Sequence, residues 1–354
     1  MSLEFDIEGE LTKLWSSMAE QHKMRACLFT LVMWCGHRQE YFQEVAQNIL
    51  NSFPCRLLFV TQDQNDPQAL QLKVSMVSAN PDGSGPVCDR IDLHVGSGAE
   101  ERLPSLLLPR LIPDLPVYLV WGDDPCTESP LLGALRPYAT KLIFDSEMSS
   151  GLQRFAQKLL QLLGDGSQAI ADLNWVRTEP WRDLLARTFA DPAHLQALTS
   201  AQNIRILYNS CLGTYCHHSN AQAIYLQGWL ASQLRWGCGD YDQVEEHQRV
   251  ACQTLHGEVI FLVLPEPREG VPEGQVSGIE ISCREGRLFR FLRRDAPGFV
   301  VDLEVEYPTH CEMPVCIIRS AFERGHSLAS EVFSPGTNPH FVEMLHWLSR
   351  VASS

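Results

Sequence analysis

The sequence predicts two domains: an α/β domain with a mostly parallel, Rossmann-like sheet over residues 1–166, and an α+β domain with an antiparallel sheet over 167–354. Three observations predict this. In the first half, short apolar runs alternate with amphipathic stretches, the pattern of strands joined by crossover helices. Gly164-Asp-Gly-Ser167 then breaks the alternation with linker chemistry. After residue 248 one strand-like segment follows another with no helical period between them. A chain of 354 residues is also long for a single core, so two domains are expected on size alone.

Taken in order, Ile7, Leu11, Leu14, Trp15 and Met18 recur at helical spacing and predict a first helix over 7–25. Ala26 to Trp34 is continuously apolar, 38–51 is amphipathic through Tyr41, Phe42, Val45 and Ile49, and Arg56 to Thr61 is apolar again. That order is a β-α-β unit, parallel and right-handed. Alternation over Leu70 to Val77 and Ile91 to Val95 predicts a hairpin across the turn-rich segment 80–86. A short helix follows near 99–110, then a buried strand from Pro116 to Trp121, a short helix over 129–138, a strand from Lys141 to Phe144 and a helix over 150–163. The second half opens with helices over 178–190 and 192–200, a strand near 203–210, and a long helix capped at Ser219 or Asn220 and stopped by Gly237. Strands are expected over 248–255, 258–264, 275–283, 286–293, 299–306 and 314–319, and Asn338-Pro339 caps a last helix.

The bulk numbers exclude several classes. A formal charge of −15 disfavours phosphate backbones and anionic lipid, which need a basic face, so neither nucleic acid nor a membrane surface is expected as a partner. The N-terminus lacks a basic and then apolar leader, and the longest apolar run, Leu106 to Trp121, is broken by three prolines, Arg110 and Asp114. Neither a signal peptide nor a membrane span is read here. Twelve cysteines in a chain of this size fall below the density of a disulfide scaffold, so reduced thiols and a cytoplasmic location are expected.

The densest cluster of costly side chains is Asp172 to Ala186, with Trp175, Arg177, Trp181 and Arg182. Thr178 and Pro180 mark a helix start there. Planar guanidinium groups suit carboxylate or phosphate, and tryptophans serve as anchors that also stack on guanidinium. These residues, with Trp229 on the long helix, are candidates either for a partner surface or for structural packing. Gly228 in mid-helix costs about 1 kcal/mol and implies close packing. Arg56 opens a buried strand and must find carbonyls or a carboxylate, as a clamp or an anion hook. Asp123 and Asp124 follow Trp121-Gly122, just past the end of a central strand where open α/β sheets place ligands; a plain Asp-Pro turn is the competing reading.

Ile91 to Val95 followed by Gly96-Ser-Gly98 imitates a dinucleotide-binding turn, but Glu101 stands where the third glycine belongs. Cys211 and Cys216, near His217 and His218, form a candidate redox pair; their spacing does not match a zinc site, and no metal or other cofactor is expected. Cys311 and Cys316 repeat the same offset on strand-like sequence. The sequence contains no Gly-x-x-x-x-Gly-Lys loop, Gly-x-Ser-x-Gly elbow or His-Glu-x-x-His motif.

Several of these motifs coincide in one known family. Pro54-Cys55-Arg56-Leu57-Leu58-Phe59-Val60, Leu108-Pro109 with Pro113-Asp114-Leu115-Pro116-Val117, Trp121-Gly122, Asp172 to Arg177 with Trp181 to Leu185, and Leu226-Gln227-Gly228-Trp229-Leu230-Ala231 resemble the OpcA family. These are the bacterial glucose-6-phosphate dehydrogenase assembly proteins. The resemblance runs from about residue 10 to about 240. It implies a non-catalytic partner that helps glucose-6-phosphate dehydrogenase reach or keep its active oligomer, and so supports NADPH production; in some photosynthetic members cysteines are tied to redox control. Two alternatives stand beside it: an enzyme or sensor holding a small anionic metabolite through Arg56 and Asp123, and a thiol-based regulator.

Overall fold

The computed structural model describes residues 6–20, 26–36, 38–63, 65–78, 86–166, 168–210, 220–239, 241–244, 247–295, 298–319, 326–334 and 336–351. The chain folds as two compact units. The first comprises Met1–Asp145, Ser167–Ala171 and Glu323–Gly336, and the second Ser146–Gly166, Asp172–Phe322 and Thr337–Ser354.

The chain begins with α1 (Ile7–Glu20), β1 (Thr30–Trp34), α2 (Gln39–Ser52), β2 (Arg56–Asp63), β3 (Leu70–Ser78) and β4 (Val87–Gly96). It continues through α3 (Leu103–Leu107), β5 (Val117–Trp121), α4 (Pro130–Leu135), β6 (Lys141–Phe144), α5 (Leu152–Asp165) and β7 (Ala169–Asp172). The seven strands form one sheet in the order β3-β4-β2-β1-β5-β6-β7. β1 is parallel to both neighbours, Thr30 pairing with Arg56 and Val117, and β4 and β6 extend the parallel set. Every residue of β1 is buried, as a strand covered on both faces requires. β3 returns antiparallel to β4, the expected hairpin. The helix near 99–110 is split into 3-10 turns around α3, with Pro104 and Pro109 limiting its backbone donors. Ser129 caps α4 by accepting from the Leu132 backbone N–H at 3.2 Å, with Pro130 in the first turn.

From Asp172 the chain forms α6 (Leu173–Arg177), α7 (Glu179–Thr188), α8 (Pro192–Thr199), β8 (Ala201–Tyr208), α9 (Ala221–Gln233), β9 (Gly237–Cys238), β10 (Asp242–Val244) and β11 (His247–Thr254). It then runs through β12 (Gly257–Pro265), β13 (Val276–Cys283), β14 (Leu288–Arg293), β15 (Phe299–Glu306), β16 (Val315–Arg319), α10 (His326–Phe333) and α11 (Pro339–Leu348). The second sheet is ordered β10-β11-β12-β8-β13-β14-β15-β16, with β9 added beside β11. Its neighbours are antiparallel except β12 and β8, which run parallel. The α/β first half and the largely antiparallel second half agree with the fold class read from the sequence.

β7, α6, β9, β10 and α10 were not expected. Apart from α10 they are two to five residues long, too short to show a period, and the partner strand or helix decides them. Within the first unit, α10 brings Glu331 to Lys141, whose side chain is 2% exposed, at 2.5 Å, and the Glu331 and Ser334 carbonyls accept from the same ammonium at 2.8 and 3.1 Å. A lysine at the start of a buried strand is neutralised there.

In the second unit α9 is buried nearly all round, so both its aliphatic residues and Tyr225 lie in the core. A Cβ at Gly228 would stand 2.7 Å from Trp347 Cε3 and 3.2 Å from Met344 Cγ, which is why the helix carries glycine where it crosses α11. Asn338 caps α11 as expected, accepting from the His340 and Phe341 backbone N–H groups. The thiols are not uniformly reduced: Cys238 and Cys252 are joined in a disulfide. They are direct register partners of β9 and β11, a juxtaposition that depends on strand pairing and not on their separation in sequence.

Candidate functional site

In doubly wound sheets ligands sit outside the carboxyl ends of the strands where the strand order reverses. Here that point lies between β1 and β5, which lead out of the sheet in opposite directions. β1 ends at Trp34 and β5 at its register partner Trp121, and the two indoles stack with centroids 5.4 Å apart and planes at 15°. Trp34 Nε1 donates to Asp123 Oδ2 at 2.5 Å. Gly36 follows with φ +49°, and a Cβ there would overlap the Asp123 carboxylate, so the backbone turns past that carboxylate toward α2. Gly122 is equally constrained, with its virtual Cβ 2.6 Å from the Trp34 carbonyl. Arg38, at the start of α2, donates to Asp145 just beyond β6 at 2.8 Å, both side chains being buried, and lies 4.2 Å over the Tyr41 ring.

The mouth of the sheet is thus lined by Trp34, Trp121, Asp123 and Arg38. The turn into a helix at such a point is ordinarily an anion site, because free backbone N–H groups and the helix dipole favour negative charge. In this chain the Asp123 carboxylate already lies against that turn, where it would repel a pyrophosphate. Asp124 has the turn role: its carboxylate accepts from the Cys126 backbone N–H at 2.9 Å. The second glycine-bearing turn, after β4, is closed by backbone. Virtual Cβ atoms at Gly96 and Gly98 would stand 2.1 Å from the Asp66 carbonyl and 2.5 Å from the Gln68 side chain, so the glycines admit the 66–68 loop.

Arg56 and Asp123, the residues expected to hold a small anion, are not brought together. Arg56 pairs with Thr30 at the start of β1, whereas Asp123 lies beyond the end of β5, so the length of the strands separates them. Arg56 donates from Nε and Nη2 to Asp89 Oδ2 at 2.8 and 2.5 Å and from Nη1 to the Arg110 carbonyl at 3.0 Å. Asp89 also accepts from Trp15 Nε1 at 2.8 Å. The guanidinium acts as a clamp joining β2, β4 and the turn at Arg110, and Asp89 ties α1 to it through Trp15.

A polar groove of about 590 Å³ lies across β2, β3 and β4 and is lined by Gln43, Phe59, Thr61, Lys73, Arg90 and His94, among others. Arg90 is matched by Asp92 at 2.8 Å. His94 lies between Thr61 Oγ1 at 2.8 Å and Asp63 at 3.1 Å. The backbone N–H groups of Asn65 and Asp66 hold the Asp63 carboxyl below the usual carboxylate range, with His94 adding to the effect. Arg90 and His94 thus already face carboxylates, while Lys73 of β3 also lines the groove.

The 172–186 stretch is built from its first residue. The buried Asp172 carboxylate accepts from the Asn174 and Trp175 backbone N–H groups, capping α6, and from the Ser146 N–H and hydroxyl at 2.7 and 3.0 Å. Asn174 Nδ2 completes the ring by donating to Ser146 Oγ at 3.0 Å. Arg177 donates to Glu147 and to Asn174 Oδ1, both at 2.9 Å. Arg182 stacks 3.5 Å over the Trp175 ring and donates to the Trp175 carbonyl at 2.5 Å and Thr178 Oγ1 at 2.7 Å. Trp175 is 3% exposed and meets Phe341 of α11; Trp181 is 2% exposed and meets Phe299 of β15 edge-on. These groups hold α6 and α7 to the core of their own unit.

Trp229, one turn along α9 from Tyr225, remains half-buried. Cys211 and Cys216 lie outside the described residues. Cys311 and Cys316 are free and exposed. The Trp34, Gly36, Arg38 and Asp145 cluster was missed in the sequence; its available signal was Trp34-Cys35-Gly36 at the end of the first apolar run, in the place of the first strand-helix turn.

Residues 46–161 match the family described as the glucose-6-phosphate dehydrogenase subunit N-terminal domain, and residues 168–314 match its C-terminal domain. The chain is 31% identical over 253 residues to "Putative OxPP cycle protein OpcA" of Synechocystis sp., covering 68% of this chain and 50% of that protein. It is 27% identical over 186 residues to the protein of the same name from Synechococcus elongatus, covering 52% and 40%. The chain thus spans about half the length or less of these relatives. Among solved structures, the 3-ketoreductase KijD10 from Actinomadura kijaniata, in complex with TDP-benzene and NADP, is similar with a TM-score of 0.56 at 9% identity, over 92% of this chain and 96% of that one. An NAD binding oxidoreductase from Klebsiella pneumoniae gives 0.50 at 10% identity, over 92% and 96%. At such identities the likeness is one of fold.

Proposed function

The chain belongs to the OpcA family of glucose-6-phosphate dehydrogenase assembly proteins, and from that membership we propose that it is a non-catalytic factor that binds the dehydrogenase and favours its active oligomer, supporting the oxidative pentose phosphate pathway and NADPH supply. The observation that carries this reading is the match of both family domains in order, over 46–161 and 168–314. Its non-catalytic side is supported at the mouth between β1 and β5, where the Asp123 carboxylate lies against the first strand-helix turn and would repel the pyrophosphate such a turn ordinarily holds.

An assembly factor shifts an equilibrium only by binding the active form more tightly than the inactive one. In this reading Trp229 is the residue of the original set that reaches the partner, while Trp175, Trp181, Arg177 and Arg182 stiffen the platform beneath it. Residues 1–166 and 167–354 act as its two domains, a division supported by the gap between the family regions at 161 and 168. The site of action is the cytoplasm, where the dehydrogenase pathway runs; among the described residues no helix is long and apolar enough to cross a membrane.

The test is dehydrogenase activity and oligomer mass with and without the protein. The expected result is higher activity accompanied by a larger or more stable oligomer. Equal activity and equal mass at saturating protein would reject the reading.

A further inference from the structure

We infer that the open face of the nine-stranded sheet is a self-association surface, and that its occupant is a second copy of this chain. The inner face is covered: Phe289 meets Phe189 and His194, Phe299 meets Trp181, and Phe261 meets Trp236. The opposite face carries the alternate residues, and a solvated face should read polar along every strand. β12 does not. It runs Val259-Ile260-Phe261-Leu262-Val263-Leu264, apolar on both faces, with Ile260, Leu262 and Leu264 half-exposed on the open side. Leu207 of β8 and Leu288 and Leu292 of β14 continue this apolar surface, and Ile318 of β16 extends it at 73% exposed. A strand apolar on both sides is built to be covered on both.

Charge and area identify the cover. Cross-strand register places Arg205, Glu280, Arg290 and Glu304 in one row on the open face, on β8, β13, β14 and β15. Neighbours in the row pair at 2.8, 3.7 and 4.0 Å, so the signs alternate strictly. Consider a two-fold axis lying in the contact plane and running along the strands between β13 and β14. It reverses the row on the second copy, so that Arg205 faces Glu304 and Glu280 faces Arg290. All four positions of this row then meet opposite charge, the self-complementarity that an isologous contact requires. From β11 to β16 the face spans roughly 30 Å by roughly 20 Å at ordinary strand spacing and rise. Its corrugated surface is then comparable with the ~800 Å² per partner of a stable interface. Two such faces stack about 10 Å apart.

The experiment measures mass by sedimentation equilibrium on the full chain, without dehydrogenase, so that its outcome is independent of the proposed function. The expected mass is twice the 39.9 kDa of the chain at about 50 µM. Leu262→Asp is expected to weaken association about a hundredfold, and Arg290→Glu, which sets like charges against Glu280 of the second copy, at least about tenfold. The exchange Glu280→Arg with Arg290→Glu restores the facing pair and recovers part of the loss; because it also restores the 3.7 Å pair within one copy, Tm is measured for each variant, and loss of mass without a fall in Tm marks the contact between copies. A monomer at every concentration, including one whose open face is covered only when dehydrogenase is added, overturns the inference. A dimer left unchanged by Leu262→Asp and Arg290→Glu also overturns it.

Discussion

Arg182→Ala distinguishes a structural from a partner-facing role for the tryptophan-arginine cluster. The guanidinium stacks 3.5 Å over the Trp175 ring and donates to the Trp175 carbonyl and Thr178 Oγ1. Removing a half-desolvated cation–π contact costs about 1 kcal/mol, and the two hydrogen bonds contribute about 1 kcal/mol each before solvent exposure is considered. The side chain is half-buried, so the net loss is set at about 2 kcal/mol. It is not larger, because the Thr178 hydroxyl still donates to the Trp175 carbonyl at 2.8 Å and that acceptor is not orphaned. For a unit of this size the loss lowers Tm by roughly 4–8 °C. Calorimetry or circular dichroism checks it, with dehydrogenase activation measured in parallel well below Tm. Arg182→Lys keeps the charge but not the planar stack, and should recover less than half of the shift. A Tm unchanged within about 1 °C together with lost activation would refute the reasoning and return Arg182 to the partner surface.

Gly228→Ala gains about 1 kcal/mol of helix propensity but drives a Cβ to 2.7 Å from the Trp347 ring, at an overpacking cost of about 1–3 kcal/mol. A net loss of about 1 kcal/mol is expected in urea unfolding, relieved by adding Trp347→Leu; a variant more stable than the parent would contradict the packing. Lys141→Ala leaves Glu331 and two carbonyls facing a buried gap and should cost about 3–5 kcal/mol by chemical denaturation, against under about 1 kcal/mol if that pair were solvated. Burial pushes the Cys35 and Cys55 thiols well up and Cys283 up to about 11, so they stay protonated, and reactivity needs thiolate. Maleimide labelling of native protein read by mass spectrometry should therefore modify Cys311 and Cys316 before Cys35, Cys55 and Cys283; early labelling of Cys35 or Cys55 would contradict their burial.

The fold class and most elements were legible because hydrophobic period is a local property. The β-α-β start, the 70–95 hairpin, the six strands after 248 and the Asn338 cap all declare themselves in a window shorter than the element they predict. Glycine at 228 even announced a close neighbour, though not that it was Trp347. The five-residue α6 escaped because its stability rests on the Asp172 cap and the Ser146 contact, neither of which has a period.

Residue chemistry alone was enough to mark Arg56, Trp175 and Arg182 as groups in need of partners, since buried charge and large aromatic surface are costly unless satisfied, whereas Asp123 read equally as part of an Asp-Pro turn. Which partners they took was a matter of tertiary structure. Arg56 found Asp89, and Asp123 found the Trp34 indole at the opposite end of the same sheet. Arg182 found the ring and carbonyl of Trp175. Cys238 and Cys252 met because two strands aligned in register. The need for a contact is local and belongs to the side chain; its identity depends on strand order and register, which join residues distant in sequence.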